Sequence, residues 1–307
     1  MTNPLPLGQW LNAPRPDDTP VAWLDDRTWT LGQLRHDVTL LVDTLRQQEG
    51  ERWALCFENS YLFIVALLAS LHAGKTPVIP GHSRVSQLEE QQALFSGVLS
   101  DRTLAFHGKL IVVASHHQTV NHWAPLPEID ESRFVELFTS GSTGTPKGIV
   151  IPHRAMIDFA DWMSEFCGYT EDDVFGNQAP FYFDLSCKDV YQTLRLGATC
   201  RIFDKKYFTF PMLLLQEMEK AGVTAINWAT SAFHLVASSG ALEKYAPTTL
   251  KKAALGGEAL QARYVNAWKA AVPGLSVVNM YGPTEATDIA TYYIVDREYE
   301  NHETLPI

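Results

Sequence analysis

Short apolar segments alternate with longer amphipathic segments along most of the chain. Apolar runs of strand length predict buried strands at 54–57, 77–79, 109–113, 134–138, 148–151, 174–175, 200–203, 225–228, 253–255 and 276–279. Helical spacing of apolar residues between them predicts helices at 60–72, 154–166, 188–196, 211–220, 232–237 and 260–271. Repeated strand and helix units with short connections predict an α/β fold, in which mostly parallel sheets are flanked by helices.

Residues that favour helix ends support several of these boundaries. Asn59 and Ser60 are candidates to cap the helix that runs to residue 72, and Gly74 is typical of its end. The sequence Ser86-Gln-Leu-Glu89 has the form of a capping box and predicts the start of another helix. Pro211 fits the first turn of the helix that Gly222 ends.

The composition is that of a globular protein that can bury a large core. The chain has 307 residues, of which 46% are hydrophobic and 19% are charged. This predicts one large domain over residues 1–307, with approximate subdomains 1–178 and 179–307. The formal net charge of −11 and the absence of long basic runs argue against a nucleic-acid partner.

Neither membrane insertion nor export is predicted. The longest apolar run, 62–69, is much shorter than a bilayer crossing requires, and the N-terminus has no basic region followed by an apolar segment. The four cysteines are far apart and lack the C-x-x-C spacing, so neither a zinc site nor a disulfide framework is indicated. A reducing, cytoplasmic location is the expectation that fits these features.

The segment from Phe138 to Gly148 predicts a phosphate-binding loop. Its glycines let backbone amides approach an anion, its hydroxyls add donors, and Lys147 adds a compensating cation. The spacing is not that of a Walker A loop, because a proline precedes the lysine and the residues that follow read as a strand. We therefore expect a strand, a loop and a second strand here.

Three later blocks have the composition of further parts of one site. They are Phe183-Asp-Leu-Ser186, Gly256-Gly-Glu258 and Tyr281-Gly-Pro-Thr-Glu-Ala-Thr287, the last preceded by Asn279. Together with the loop, in this order and at these intervals, they resemble the adenylate-forming (AMP-binding) superfamily. The resemblance is greatest to the amino-acid-adenylating domains of nonribosomal peptide synthetases and to D-alanine carrier-protein ligases.

The resemblance implies a fold and indicates which parts of such an enzyme the chain would cover. The chain is expected to form the large N-terminal domain of such an enzyme, with two packed subdomains. That domain is expected to be incomplete and the small C-terminal domain to be absent, so that the chain resembles a truncated enzyme.

The resemblance also implies roles for individual residues toward ATP and Mg²⁺. The phosphate-binding residues would be Thr139, Ser140, Gly141, Ser142, Thr143, Gly144 and Lys147. Thr284 would contact the α-phosphate and Glu285 would bind Mg²⁺, so that Lys147, Thr284 and Glu285 are the candidate catalytic residues. The adenine side of the site would be formed by Gly256, Gly257, Glu258, Asn279, Met280, Tyr281 and Gly282. His153, just after the loop, is expected to be a packed structural histidine.

The residues implied for the carboxylate substrate are Asp184, Phe183, Ser231 and Gly256. In amino-acid-activating relatives the aspartate of the Phe-Asp segment pairs with the substrate ammonium, and this favours an amino acid here. Ala229, Phe233 and His234 are expected to border the same pocket together with Ser231, but spacing alone does not show which of the four face inward. An aspartate that only caps the following helix is the alternative interpretation of Asp184.

The function implied is ATP-dependent activation of an amino acid to an aminoacyl-adenylate, with release of pyrophosphate and later transfer to the thiol of a carrier protein. An acyl- or aryl-acid ligase acting on CoA or a carrier protein is the alternative within the same class. A non-catalytic nucleotide-binding fragment is the alternative of another class.

Overall fold

The computed structural model describes residues 7–81, 84–116, 125–126, 129, 134–139, 147–183 and 187–307. The strands are β1 (Pro20–Leu24), β2 (Arg27–Thr30), β3 (Arg52–Cys56), β4 (Thr76–Ile79), β5 (Gly97–Ser100), β6 (Leu110–Val112), β7 (Phe134–Thr139), β8 (Lys147–Pro152), β9 (Val174–Asn177), β10 (Thr199–Ile202), β11 (Ala225–Ala229), β12 (Lys252–Gly256), β13 (Ser276–Tyr281) and β14 (Thr291–Ile294). The helices are α1 (Leu7–Asn12), α2 (Leu31–Arg46), α3 (Tyr61–His72), α4 (Val85–Glu90), α5 (His153–Cys167), α6 (Cys187–Leu196), α7 (Lys205–Thr209), α8 (Pro211–Lys220), α9 (Thr230–Ser238) and α10 (Ala262–Ala271).

Two sheets organise these elements. The large sheet has the strand order β14-β13-β12-β11-β9-β10-β1-β2, and the small sheet has the order β6-β5-β3-β4-β7-β8. Pairing is parallel except at the ends: β14 runs antiparallel to β13, β2 to β1 and β8 to β7. The predicted α/β fold with mostly parallel sheets is therefore confirmed.

The predicted division of the chain near residue 178 does not coincide with the division between the sheets. β1 pairs in parallel with β10, and β9 lies between β10 and β11, so segments on both sides of residue 178 share the large sheet. The β1–β10 pairing joins residues about 180 positions apart. Apolar periodicity is local and carries no information on such a pairing.

The core includes a helix that is apolar on nearly every side. α3 buries Phe63, Ile64, Leu67 and Leu68, and it packs against α2 and the strands β3 and β4. A helix without a polar face must be enclosed by other elements, and the flanking sheet and helices provide that enclosure. Among the described residues, no helix is both long enough and apolar enough to cross a bilayer.

The helix-end predictions had mixed outcomes. Pro211 is the first residue of α8, as expected, and Gly74 has a φ of 73° just after α3. The capping box at Ser86 is wrong: α4 begins at Val85, so Ser86 lies inside the first turn, where its side chain is no longer at the capping position.

Asn59 does not cap α3 either. Ser60 is the N-cap, without a side-chain cap bond, while the Asn59 amide donates to the Ala179 carbonyl at 3.1 Å. Its oxygen accepts from the Phe181 amide at 2.9 Å. Asn59 thus ties the loop after β3 to the segment that precedes α6.

Candidate active site

A cavity of about 470 Å³ opens where four adjacent strands of the large sheet end. These strands, β9, β11, β12 and β13, are parallel, so their carboxyl ends meet at one edge of the sheet, where α/β proteins bind ligands. The cavity is lined by Gln178, Ala179, Pro180, Phe183, Ala229, Ser231, Gly256, Gly257, Gly282, Pro283, Thr284, Asp288 and Ile289.

Two glycines shape the backbone at this edge. Gly257 follows β12 with a φ of 101°, a conformation that residues with a side chain rarely adopt. A Cβ on Gly282 would lie 2.5 Å from the Asp288 carbonyl oxygen and from the Ala290 nitrogen. The turn after β13 therefore folds back on itself at a distance that only glycine permits, and the Ala290 amide closes it with a 2.9 Å bond to the Tyr281 carbonyl.

Seven of the residues predicted for the site line this cavity: Phe183, Ala229, Ser231, Gly256, Gly257, Gly282 and Thr284. Tyr281 and Glu285 are exposed beside it, on the loop that contributes Gly282 and Thr284. Glu258 is exposed two residues after Gly256 and does not line the cavity.

Asn279 and Met280 were predicted for the adenine side of the site, and both lie in β13. Both are 1% exposed within β13, and neither is among the lining residues. The Asn279 amide nitrogen donates to the Pro306 carbonyl at 2.6 Å. The Oδ1 atom of the same amide is buried and has no hydrogen-bond partner among the described residues, and its role toward adenine stays a prediction.

The two strands predicted on either side of the phosphate-binding loop are present as β7 and β8. β7 and β8 pair antiparallel, with Thr139 opposite Lys147, and Lys147 is exposed at the start of β8. β8 contacts the 3₁₀ turn Thr284–Ala286. β8 thus lies beside the turn that carries Thr284. Ser140, Gly141, Ser142, Thr143 and Gly144 lie outside the described residues.

Asp184, the residue on which the amino-acid prediction depends, also lies outside the described residues. Its neighbour Phe183 lines the cavity, is 50% exposed, and contacts the Tyr182 ring with a centroid separation of 4.9 Å.

Of the four candidate residues in and just before α9, two line the cavity and two pack elsewhere. Ala229 and Ser231 line the cavity, but Phe233 is fully buried and stacks on Trp268 at 4.9 Å. His234 packs against Tyr264 at 4.3 Å. Successive helical residues turn by about 100°, so Ser231 and Phe233 lie on opposite faces of α9 and Phe233 does not border the pocket. His234 is three residues after Ser231, but its ring packs on Tyr264 and it is not among the residues that line the cavity.

A buried hydrogen-bond network behind the cavity was not predicted from the sequence. Both oxygens of Asp189 accept amide bonds of 2.9 Å, one from Asn177 and one from Asn227. Asn227 in turn accepts from the Tyr169 hydroxyl at 2.8 Å, and Asn177 accepts from Asn59 at 3.2 Å. The network fixes the ends of β9 and β11 relative to α6 and to the loop after β3.

Burial raises the pKa of Asp189 to about 6, against the opposing effects of the two amide donors and of nearby Lys188. The raised pKa reflects the cost of placing a carboxylate in a site with little solvent, although both of its oxygens are hydrogen-bonded.

A second buried charge, Lys188, was also missed. Its side chain is 1% exposed, and its ammonium lies 2.9 Å from the Asp288 carboxylate, which lines the cavity and is 13% exposed. The only signal in the sequence was a lysine on an otherwise buried face of a predicted helix, and its acidic partner lies 100 positions away.

His153 is the packed histidine that the sequence predicted. It is fully buried at the start of α5, and its Nδ1 lies 3.4 Å from the Tyr191 hydroxyl. Burial lowers the pKa of His153 to about 3. A neutral imidazole inside the core is thus the state at neutral pH.

The described residues contain no group of three or more potential metal-ligating side chains. Glu285 stands exposed on the turn after β13, next to Thr284. One carboxylate beside a phosphate site is compatible with Mg²⁺, which proteins bind through one or two carboxylates while substrate phosphates and water supply the other ligands.

Comparisons with known proteins agree with this geometry. The family described as "AMP-binding enzyme" matches residues 82–306. The chain is 27% identical to Bacitracin synthase 3 of Bacillus licheniformis over 299 residues, 92% of this chain and 5% of that protein. It is 26% identical to a D-alanine--D-alanyl carrier protein ligase of Bacillus cytotoxicus over 312 residues, 95% of this chain and 61% of that protein.

Among solved structures, the AMPPNP-bound form of the nonribosomal peptide synthetase FmoA3 (S1046A) has the same fold. It matches with a TM-score of 0.84 at 20% identity, over 100% of this chain and 34% of that chain. This chain therefore spans from one-twentieth to about three-fifths of the length of the proteins it matches here. The chain belongs to the AMP-binding enzyme family.

Proposed function

We propose that the chain is the nucleotide- and acid-binding part of a cytoplasmic adenylate-forming ligase, which activates an amino acid with ATP for transfer to a carrier-protein thiol. The observation that carries the proposal is the cavity at the ends of β9, β11, β12 and β13, into which Gly256, Gly282 and Thr284 converge. The D-alanyl carrier protein ligase named above supports the amino acid and the carrier protein, and the AMPPNP-bound relative supports ATP.

Such a reaction requires that the enzyme position its two substrates, and it does not require a nucleophile from the protein. A carboxylate of the substrate attacks the α-phosphorus of ATP, a bond from phosphorus to the substrate oxygen forms, and pyrophosphate leaves. Both reactants carry negative charge, so donors and cations around the phosphates must offset their repulsion. The backbone turn at Gly257 allows such an approach, because nothing lies within 4 Å of the point where a Cβ would lie.

Each polar residue then has a separate task. The Thr284 hydroxyl, which lines the cavity, is proposed to donate to the α-phosphate. Lys147 and the hydroxyls of the loop that begins at Thr139 are proposed to hold the outer phosphates, since this hairpin contacts the Thr284 turn. Glu285 is proposed to ligate Mg²⁺, which would neutralise charge on the phosphates when bound.

For the acid, we propose that Phe183 and Ser231 form walls of the pocket and that Asp184 pairs with the substrate ammonium. Phe183 lines the same cavity as the nucleotide-side glycines, so an acid beside Phe183 would have its carboxylate within reach of the nucleotide. A carboxylate that faces a cation in a partly desolvated pocket discriminates strongly against acids without an amino group.

The test is binding of non-hydrolysable adenylate analogues that carry aminoacyl, fatty acyl or aryl groups. We expect aminoacyl analogues to raise the thermal midpoint of the chain, and Asp184→Ala to abolish that effect while T284V weakens binding of every analogue. Preference for acyl or aryl analogues, unchanged in D184A, would overturn the amino acid. If no analogue bound at all, adenylate formation itself would be contradicted.

A further inference from the structure

One wall of the cavity lies beyond the end of its strand. β9 ends at Asn177, whose pairing with Ile202 is the last in the ladder between β9 and β10. The residues of the following segment that line the cavity are Gln178, Ala179, Pro180 and Phe183. In the described structure this wall segment, residues 178–183, belongs to no strand, so groups other than a sheet ladder must fix its position.

Asn59 bonds to the wall segment with both ends of its side chain. Its amide nitrogen donates to the Ala179 carbonyl at 3.1 Å, and its oxygen accepts from the Phe181 amide at 2.9 Å. The nitrogen also donates to Asn177 Oδ1 at 3.2 Å. A carboxamide has two donor hydrogens and an acceptor oxygen, so this one side chain can fix both the position and the orientation of the backbone.

Asn59 itself is anchored on the side of the small sheet. It lies between β3 and α3, and α3 packs against β3 and β4. A ring contact joins the same two parts of the molecule, because Phe181 is fully buried and stacks on Phe63 of α3 with a centroid separation of 4.8 Å. The stacked rings add apolar contact, while the directional bonds of Asn59 define where the backbone of the wall segment lies.

The nucleotide side of the cavity has separate support. Gly256 ends β12, and the turn after β13 carries Gly282 and Thr284. The side-chain hydrogen bonds of Asn59 go to β9 and the wall segment, and none joins a described residue of β12, β13 or that turn. A change at Asn59 should therefore displace the wall segment while the nucleotide side keeps its geometry.

We infer that Asn59 is a positioning residue for the acid substrate, which holds the wall segment at the distance from the nucleotide that an aminoacyl group requires. This inference rests on the proposed function and adds a residue from the small sheet to the same site. Asn59 does not line the cavity and acts through Ala179 and Phe183, which do. A supporting residue of this kind matters because a displacement of about 1 Å can cost about 100-fold in efficiency.

The experiment compares two ligands that differ only in the aminoacyl group. Calorimetry gives the dissociation constants of sulfamoyl-adenosine and of the aminoacyl sulfamoyl-adenosine that stabilises the wild type most, chosen from analogues of glycine, D-alanine and the common L-amino acids. In N59A we expect the affinity for the aminoacyl analogue to fall about 20-fold or more, and that for sulfamoyl-adenosine to change less than about twofold.

N59D is a second variant of nearly the same shape. Its carboxylate can still accept from the Phe181 amide, but it cannot donate to the Ala179 carbonyl and would face that oxygen with a negative charge. We expect a selective loss of at least about tenfold in affinity for the aminoacyl analogue. N59D therefore provides the measurement if N59A does not fold, and thermal midpoints without ligand establish which variants are folded.

N266A is the matched control. Asn266 is half-buried like Asn59, and its amide nitrogen donates to the Tyr299 carbonyl at 2.8 Å and to Asn301 at 2.9 Å. Neither Asn266 nor these partners line the cavity. We expect N266A to lower the thermal midpoint about as much as N59A, by about 3–6 °C, and to leave both dissociation constants unchanged.

Two results would overturn the inference and leave the proposed function intact. One is an unchanged affinity for the aminoacyl analogue in both Asn59 variants. The other is an equal loss of affinity for both ligands in these variants, since Asn59 would then support the fold in general. If no aminoacyl analogue bound the wild type more tightly than sulfamoyl-adenosine does, the proposed activation of an amino acid would fail as well.

Discussion

Two buried helices of this protein have nearly opposite compositions. α3, which packs on the small sheet, buries an almost continuous apolar surface that includes Phe63, Leu67 and Leu68. α6, which lies beside the large sheet, buries Lys188, Asp189, Gln192 and Thr193 together with apolar residues. The buried surface of α3 is mostly apolar, and its few polar groups bond nearby, as the Tyr61 hydroxyl does to Asp37 on α2. The buried polar side chains of α6 instead require partners on strands of the large sheet and on the turn after β13.

The difference follows the location of the cavity. The buried polar partners of α6 include Asn177, Asn227 and Asp288, which lie on strands or turns around the cavity. Of the described residues that line the cavity, none belongs to α3. Buried polar pairs occur elsewhere too, as between Tyr61 and Asp37, but those of α6 lie beside the cavity, where they fix the position of its walls.

The largest expected effect concerns the apolar helix. L68A removes a side chain that is 1% exposed in α3, and we expect the free energy of unfolding to fall by about 3–5 kcal/mol because a cavity remains. Chemical denaturation measures this change in the free energy of unfolding. The control is L40A, at a site that is 38% exposed, where the free energy of unfolding should change little. Binding of adenylate analogues below the transition should stay unchanged; a weakened affinity would contradict the proposed separation of the two regions.

The next effect concerns the turn at the cavity. G282A places a Cβ 2.5 Å from two backbone atoms, and we expect a loss of about 3 kcal/mol in unfolding free energy together with loss of analogue binding. Gly222→Ala is the matched control, since Gly222 also has a positive φ but has nothing within 4 Å of the point where a Cβ would lie. That variant should cost about 1 kcal/mol and bind normally. Normal binding by folded G282A would show that the tight return after β13 does not shape the site.

The third effect concerns the polar helix. D189N keeps the shape of the side chain but turns one acceptor into a donor that faces an amide donor, and we expect a loss of about 2–3 kcal/mol in unfolding free energy. Analogue affinity should also fall, because Asn177 and Asn227 lie on strands that lead into the cavity. Asp43→Asn on the exposed surface of α2 is the control. A fall in stability with unaltered affinity would mean that the network supports the fold alone.

The smallest effect is a dependence on pH. The pKa of His153 is about 3 in the folded protein, below its ordinary value of 6.5, so the unfolded chain takes up a proton between those values and the folded chain does not. The contribution of His153 to stability is therefore lost as pH falls below 6.5, by about 1–2 kcal/mol at pH 5. Asp189, with its pKa raised to about 6, acts in the opposite direction as pH falls from 6 toward 3.8.

Because these two groups oppose each other, the measurement is a difference. Urea unfolding of the wild type and of H153L at about pH 7 and about pH 5 should show that H153L loses less stability on acidification. An equal loss in the two proteins would place the acid sensitivity in other residues.

Much of the fold was predictable from local pattern. The strands at β3, β4, β7, β8 and β10 to β13 and the helices α3, α5, α6 and α8 all have apolar periodicity or end signals strong enough to find them. α2 was missed although Thr30 and Gln33 form a capping box, and the short strands β1, β2, β5 and β14 were also missed. Short strands gain their stability from pairing with distant partners, so they leave a weak signal in their own residues.

The fold class, the family and the motifs that supply the cavity can all be read from the residues alone, because glycine and hydroxyl residues at fixed spacings record local backbone and phosphate requirements. Only the packing of distant elements decides the rest: Asn279 bonds to Pro306, Phe233 stacks on Trp268, Asn59 bridges the two sheets, and Lys188 pairs with Asp288. Such contacts depend on which elements pack together, and bonds between residues about 100 positions apart have no periodicity that a single sequence can display.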